Sequence, residues 1–109
     1  MASEIMAVSL TKELSSSEVD LLAVTSGHTY TILNISICET AGAAETFDLY
    51  VRDDAGSSDY EIYSDQALGA NETFEHTNRI VLEAADVLSA QTASSANVDA
   101  VISYLDQTL

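Results

Sequence analysis

Apolar and polar side chains alternate in short runs along this chain, and a period of two is the signature of half-buried β-strands. Thr46 to Arg52 shows it most clearly, with Phe47, Leu49 and Val51 on one side and Asp48, Tyr50 and Arg52 on the other. Thr29 to Thr40 repeats it: Leu33, Ile35 and Ile37 share one face, and Asn34 and Ser36 lie on the other with Ile32 and Cys38. Ala41-Gly42-Ala43-Ala44 stands between these runs, so the pair is expected to form a hairpin. The last run sets Val98, Ala100, Ile102 and Tyr104 on one face and Val101 and Leu105 on the other. Shorter strands are expected around Tyr60, Ile62 and Tyr63, over Thr73 to Glu75, at Ile80-Val81-Leu82, over Val87 to Ala90, and over Ser17 to Ala23. Turns fall at Asp53 to Ser58, Leu68 to Asn71 and Ala84 to Asp86, and Gln91 to Ala96 reads as a loop.

These elements predict an all-β fold: a single-domain antiparallel β-sandwich or jelly-roll-like barrel of about eight strands with an N-terminal arm. Residues 1–17 are the arm and linker, in which Ile5, Met6, Val8 and Leu10 are apolar and Ser15-Ser16-Ser17 forms a break; residues 18–109 are the sandwich. A length of 109 residues suits one domain. The 47% hydrophobic content argues against disorder, but much of it is alanine, so the core is thin and a homo-oligomer is expected, with a trimer favoured.

The charge is lopsided: 18 Asp and Glu against 3 Lys and Arg give a net charge of −15. Lys12, Arg52 and Arg79 are too scattered for a basic patch, so neither nucleic acid nor an anionic membrane is an expected partner. There is no run of 18 apolar residues, and Met1 to Thr11 lacks the basic start and long apolar stretch of a secretory signal.

Candidate sites are few. Asp53, Asp54 and Asp59, with Glu61 and Asp65 beyond, supply the oxygen ligands that calcium prefers, but they do not match the EF-hand spacing and read first as a solvated turn. Cys38 reads as a small buried hydrophobe, and His28 and His76 as surface or turn residues. Asn34-Ile35-Ser36 and Asn71-Glu72-Thr73 match the glycosylation sequon but lack a secretory context. No phosphate loop, nucleophile elbow or histidine cluster is present. No catalytic residue and no cofactor is expected.

Three passages carry a resemblance. Tyr30-Thr31-Ile32-Leu33-Asn34-Ile35-Ser36-Ile37-Cys38-Glu39-Thr40-Ala41-Gly42, leading into Thr46-Phe47-Asp48-Leu49-Tyr50-Val51, resembles the opening hairpin of small virion structural proteins of tailed bacteriophages. Ala67-Leu68-Gly69-Ala70-Asn71-Glu72-Thr73-Phe74 and Ile80-Val81-Leu82-Glu83-Ala84-Ala85-Asp86-Val87-Leu88-Ser89-Ala90 are similar to two turns of the same group. The resemblance covers roughly residues 26–104 and departs from the family at Ala85, where a glycine is usual, and at Ser103-Tyr104, where Ser-Gly is usual. It implies a non-enzymatic capsid decoration or cement protein on the outer head surface. Such a protein is made in the bacterial cytoplasm, located in the virion, and partnered by the major capsid protein or other virion proteins. Ile5, Met6, Val8 and Leu10 are the expected partner contacts, by strand addition. The alternatives are a tail, baseplate or fibre-attached module, an acidic DNA mimic, and a carbohydrate-binding module using Tyr50, Tyr60, Tyr63 or Tyr104.

Overall fold

The computed structural model describes residues 3–54, 57–94 and 97–108. Nine strands follow in order: β1 (Ser3–Leu14), β2 (Val19–Ala23), β3 (His28–Glu39), β4 (Glu45–Asp53), β5 (Ser58–Leu68), β6 (Thr73–His76), β7 (Ile80–Leu82), β8 (Val87–Thr92) and β9 (Val98–Thr108). Among the described residues there is no helix long and apolar enough to cross a membrane. The segment expected to be an arm forms β1, a strand paired to β9 from Ser3↔Thr108 to Leu14↔Val98. The expected turn at Asp53 to Ser58 and loop at Gln91 to Ala96 each lie partly outside the described residues, and Gln91 and Thr92 end β8.

One sheet has the order β1-β9-β3-β6, with β7 beside β6 on the same flank of β3, and the other has the order β2-β8-β4-β5. Every neighbouring pair is antiparallel. Counting β6 and β7 as one interrupted strand, the two four-strand orders are those of a jelly roll. We call the first the β1-β9-β3 sheet and the second the β2-β8-β4-β5 sheet.

The core lies between them. Ile32, Ile35, Ile37, Ala100 and Ile102 from the first sheet meet Phe47, Leu49, Leu88 and Ala90 from the second, all buried. At one end Phe47, Tyr63 and Phe74 form an aromatic cluster with ring centroids 4.8–6.3 Å apart. Tyr30 and Tyr104 stack at 4.8 Å elsewhere in the core.

Two strand expectations are corrected. Simple alternation sets Ile32 on the face opposite Ile35 and Ile37, yet all three point inward, because the register against β9 shifts between Ile32 and Asn34. A β-bulge there inserts one residue and reverses the alternation, leaving Leu33 half-buried. Nor do β3 and β4 form a hairpin: they belong to different sheets, and residues 40–44 cross from one sheet to the other. Gly42 takes φ 79° in that crossing, which suits a residue without Cβ.

Glu39 fastens the crossing. It is 2% exposed, and its carboxylate accepts from the backbone N–H of Asn71 (2.9 Å), Ala41 (2.9 Å), Gly42 (2.8 Å) and Ala43 (3.1 Å). These donors, the Asn71 N–H foremost, hold its pKa below the ordinary 4.5 against the opposing effect of burial.

The turn before β8 holds a different tension. Ala85 adopts φ 74°, a left-handed conformation that a Cβ disfavours, at the position where the resembling family carries glycine. Ala85→Gly is expected to raise stability by about 0.5–1 kcal/mol, read as a higher midpoint in urea; an unchanged or lower midpoint would mean the strain is not there to relieve.

Candidate functional site

The two outer faces of the sandwich differ in chemistry. On the β2-β8-β4-β5 sheet, the register aligns Tyr50 with Ser89 and Glu61, and Ser89 with Asp20, next to the rows of Asp48 with Gln91 and Arg52 with Asp59. Arg52 sits among carboxylates: its guanidinium is 3.3 Å from Glu18, 3.1 Å from Asp20 and 3.9 Å from Asp59. Tyr50 points to this face, as its place in the alternation requires, but is 4% exposed, with its hydroxyl within reach of both Glu18 and Gln91. Its hydroxyl donates to Glu18 at 2.5 Å. Burial first, then the Glu18 carboxylate, holds the phenol far above its ordinary value.

Beside them Glu61 is held above the ordinary carboxylate range, first by partial burial and then by Asp48, Asp59 and Asp65. A raised carboxyl value means that the charged form is disfavoured in the fold, so folding is helped as pH falls through it. Glu61→Gln is therefore expected to raise Tm at neutral pH and low salt by about 2–4 °C. The gain should shrink near 1 M salt, where the Debye length is about 3 Å. Thermal scans at two salt concentrations check this, and a Tm drop in both would contradict it.

The outer face of the β1-β9-β3 sheet is apolar and uncharged at its centre, with Glu4, Lys12, Asp99 and Glu75 around it. Met6 aligns with Leu105, Thr31 and Val81; Val8 with Ser103 and Asn34; Leu10 with Val101, Ser36 and Glu75. Met6 is 67% exposed, Val8 55%, Leu10 72% and Val81 60%. At one end of this face Lys12 lies 3.7 Å from Asp99, and beside that pair Leu10, Lys12, Asp99 and Val101 border an open recess of about 230 Å³. The expected contact residues Met6, Val8 and Leu10 thus share one face. Ile5, 62% exposed, lies on the opposite side of β1, in the row of Asp106 and Tyr30. Toward the core, Ser9 donates to the Leu21 carbonyl at 2.7 Å and Leu14 is fully buried, so β1 is anchored at its end.

The other candidates are placed as follows. Asp53 and Asp54 are exposed where β4 ends, and Asp59 faces Arg52. Among the described residues no three His, Cys, Asp or Glu side chains are grouped so as to hold a metal ion. Cys38 is half-buried on the outer face of β3. The histidines are not turn residues. His28 Nδ1 is 2.6 Å from Asp106, and His76, 7% exposed, meets the Tyr63 hydroxyl through Nδ1 at 2.8 Å while its Nε2 has no partner. Sequence gave no signal for these pairs, which join residues far apart in the chain. Of the four tyrosines considered for sugar stacking, only Tyr60 is exposed.

No family model matches the chain, and no curated protein is similar to it in sequence. Solved structures are similar to it in fold. A chain in the acidic stable capsid structure of Helicobacter pylori bacteriophage KHP30 is 15% identical with a TM-score of 0.57, over 100% of this chain and 94% of that one. A chain of the disulfide-linked pili of Bacillus endospore appendages is 8% identical with a TM-score of 0.58, over 99% of this chain and 88% of that one. A chain from the infectious bursal disease virus Gx strain is 10% identical with a TM-score of 0.57, and this chain spans 33% of it. At these identities the likeness is one of fold: the whole chain is a jelly roll of a kind found in virus shells and in spore pili.

Proposed function

We propose that this chain is a non-enzymatic structural protein of a virus particle, and specifically a decoration or cement protein on the outside of a bacteriophage head. The observation that carries this is the end-to-end match to a phage-capsid chain of nearly the same extent. The surface supports it physically. An acid-covered sheet turned to solvent keeps particles apart by mutual repulsion, while the other sheet, with an exposed apolar stretch along its edge strand, offers contact to other shell proteins. The titratable groups with a shifted pKa, Glu39, Tyr50, Glu61 and Tyr104, lie in fold-holding hydrogen bonds, against the core or among other acids rather than beside a nucleophile.

The test is binding of the purified chain to particles assembled without it, followed by sedimentation. Saturable co-sedimentation is expected; full recovery of the chain in the supernatant at all ratios would remove the proposal. The alternative is a tail, baseplate or fibre-attached module, favoured by the similar likeness to a pilus chain, in which a jelly roll of this size belongs to a filament. Label confined to tails in electron micrographs would select it.

A further inference from the structure

Two four-strand layers leave four free edges: β1, β6 with β7, β2 and β5. A free edge invites another strand, and folded proteins guard theirs with charge, bulges or shortness. Three of these edges are guarded. β5 carries Asp59, Glu61 and Asp65 and shifts register twice against β4. β2 has five residues, with Asp20 and a bulge. β6 and β7 have four and three residues.

β1 is not guarded. From Ile5 to Thr11 it has no charge, no proline and an unbroken register with β9; its bulge comes only between Thr11 and Leu14. Its exposed side chains Met6, Val8 and Leu10 continue the uncharged centre of the sheet's outer face, beside Leu105, Ser103 and Val101.

We propose that β1 pairs antiparallel with β1 of a second copy of this chain, about a two-fold axis at Val8, joining two sheets into one. With Val8 opposite Val8, Met6 falls opposite Leu10 of the second copy and Glu4 falls opposite its Lys12. Directly opposed residues of antiparallel strands share a face, so these contacts lie together on the outer surface. The strand is thus its own complement: an apolar centre closed at both ends by an opposite-charge pair. Moving the axis to Ala7 or Ser9 would set Glu4 against Leu10 or Leu14 and lose both pairs. Lys12 already pairs with Asp99 at 3.7 Å, but its side chain is 79% exposed, so its ammonium can take Glu4 of the second copy as a further partner.

Charge selects a second copy as the occupant. A chain with 18 acids and 3 basic residues repels itself almost everywhere, and this edge is where its own charges attract. The arrangement is isologous, so it closes at two copies and does not grow into a fibre. It replaces the trimer expected from the sequence with a dimer, or with an assembly built of dimers.

Light scattering on the 109-residue chain is expected to give the dimer mass. Val8→Lys sets two ammonium groups against each other at the axis, at a position exposed in the single chain, and should raise the dimer Kd about tenfold or more. Register is read by cross-linking in a Cys38→Ser background. Val8→Cys is expected to form a disulfide dimer under mild oxidation, and Glu4→Cys alone is not; should Val8→Lys fail to fold, this pair of variants decides. A monomeric wild-type chain, a dimer indifferent to Val8→Lys, or cross-linking by Glu4→Cys rather than Val8→Cys overturns the pairing. Mass is read without particles, so a monomer that still binds particles defeats the pairing alone, and a dimer that ignores them defeats the proposed function alone.

Discussion

Phe47→Ala is expected to cost about 3–5 kcal/mol of folding stability, a large part of the ~5–15 kcal/mol that holds a domain of this size together. Phe47 is 1% exposed on the inner face of β4 and meets Phe74 at 5.3 Å and Tyr63 at 6.3 Å. Those partners come from β6 and β5, so one ring joins the two sheets at that end. The neighbours are themselves large rings fixed by strand positions, and Tyr63 is further held by His76 at 2.8 Å. They cannot collapse into the space left behind, which places the cost toward the upper part of the range. Urea unfolding should show a lower midpoint with little change in slope. A loss of less than ~1 kcal/mol would mean that the cluster does not pack as described.

Glu39→Gln is the polar counterpart. The carboxylate offers two oxygens to four backbone N–H groups, whereas the amide offers one oxygen and turns an NH₂ toward donors. Buried donors left without an acceptor are costly, and Tm is expected to fall by roughly 10 °C at neutral pH. The pH dependence has a definite sign. The folded-state pKa of Glu39 lies below the ordinary 4.5, so its contribution is complete above that value and is lost as pH falls through the folded one. The gap in Tm between the wild-type chain and Glu39→Gln should therefore narrow on acidification below about pH 4.5. A gap that is constant with pH would show that the charge of Glu39 is not what holds the crossing. Measuring the difference matters, because protonating the other acids relieves repulsion in both proteins alike.

The strands were legible where burial is one-sided and the ladder regular. In β9, Val98, Ala100 and Ile102 are buried while Val101 is exposed, as the alternation requires, and in β4 Phe47 and Leu49 are buried. The jelly-roll class was legible too, from the number and spacing of such runs. Pairing was less so. Whether a strand leaving a short turn folds back on its neighbour or crosses to the other sheet depends on partners far along the chain: β3 pairs with β9 and β6, and β4 with β8 and β5. The bulge after Ile32 left no local mark, yet it exchanges the two faces of a strand. Tyr50 shows a similar limit, since alternation gives the direction of a side chain but not what covers it. Of the candidate contact surface, Met6, Val8 and Leu10 were legible as an apolar alternating set. Their place on an edge strand, and the gathering of Asp20, Asp48, Asp59 and Glu61 around Arg52 and Tyr50 on the other sheet, depend on a topology that only the fold supplies.

The central claim is that this jelly roll resides on a virus particle, on its outer surface. Gold-labelled antibody against the chain, applied to intact particles from the source that encodes it and viewed by electron microscopy, tests it most directly. Regular labelling of the head surface is the expected result; unlabelled particles whose dissociated proteins also lack the chain would contradict it.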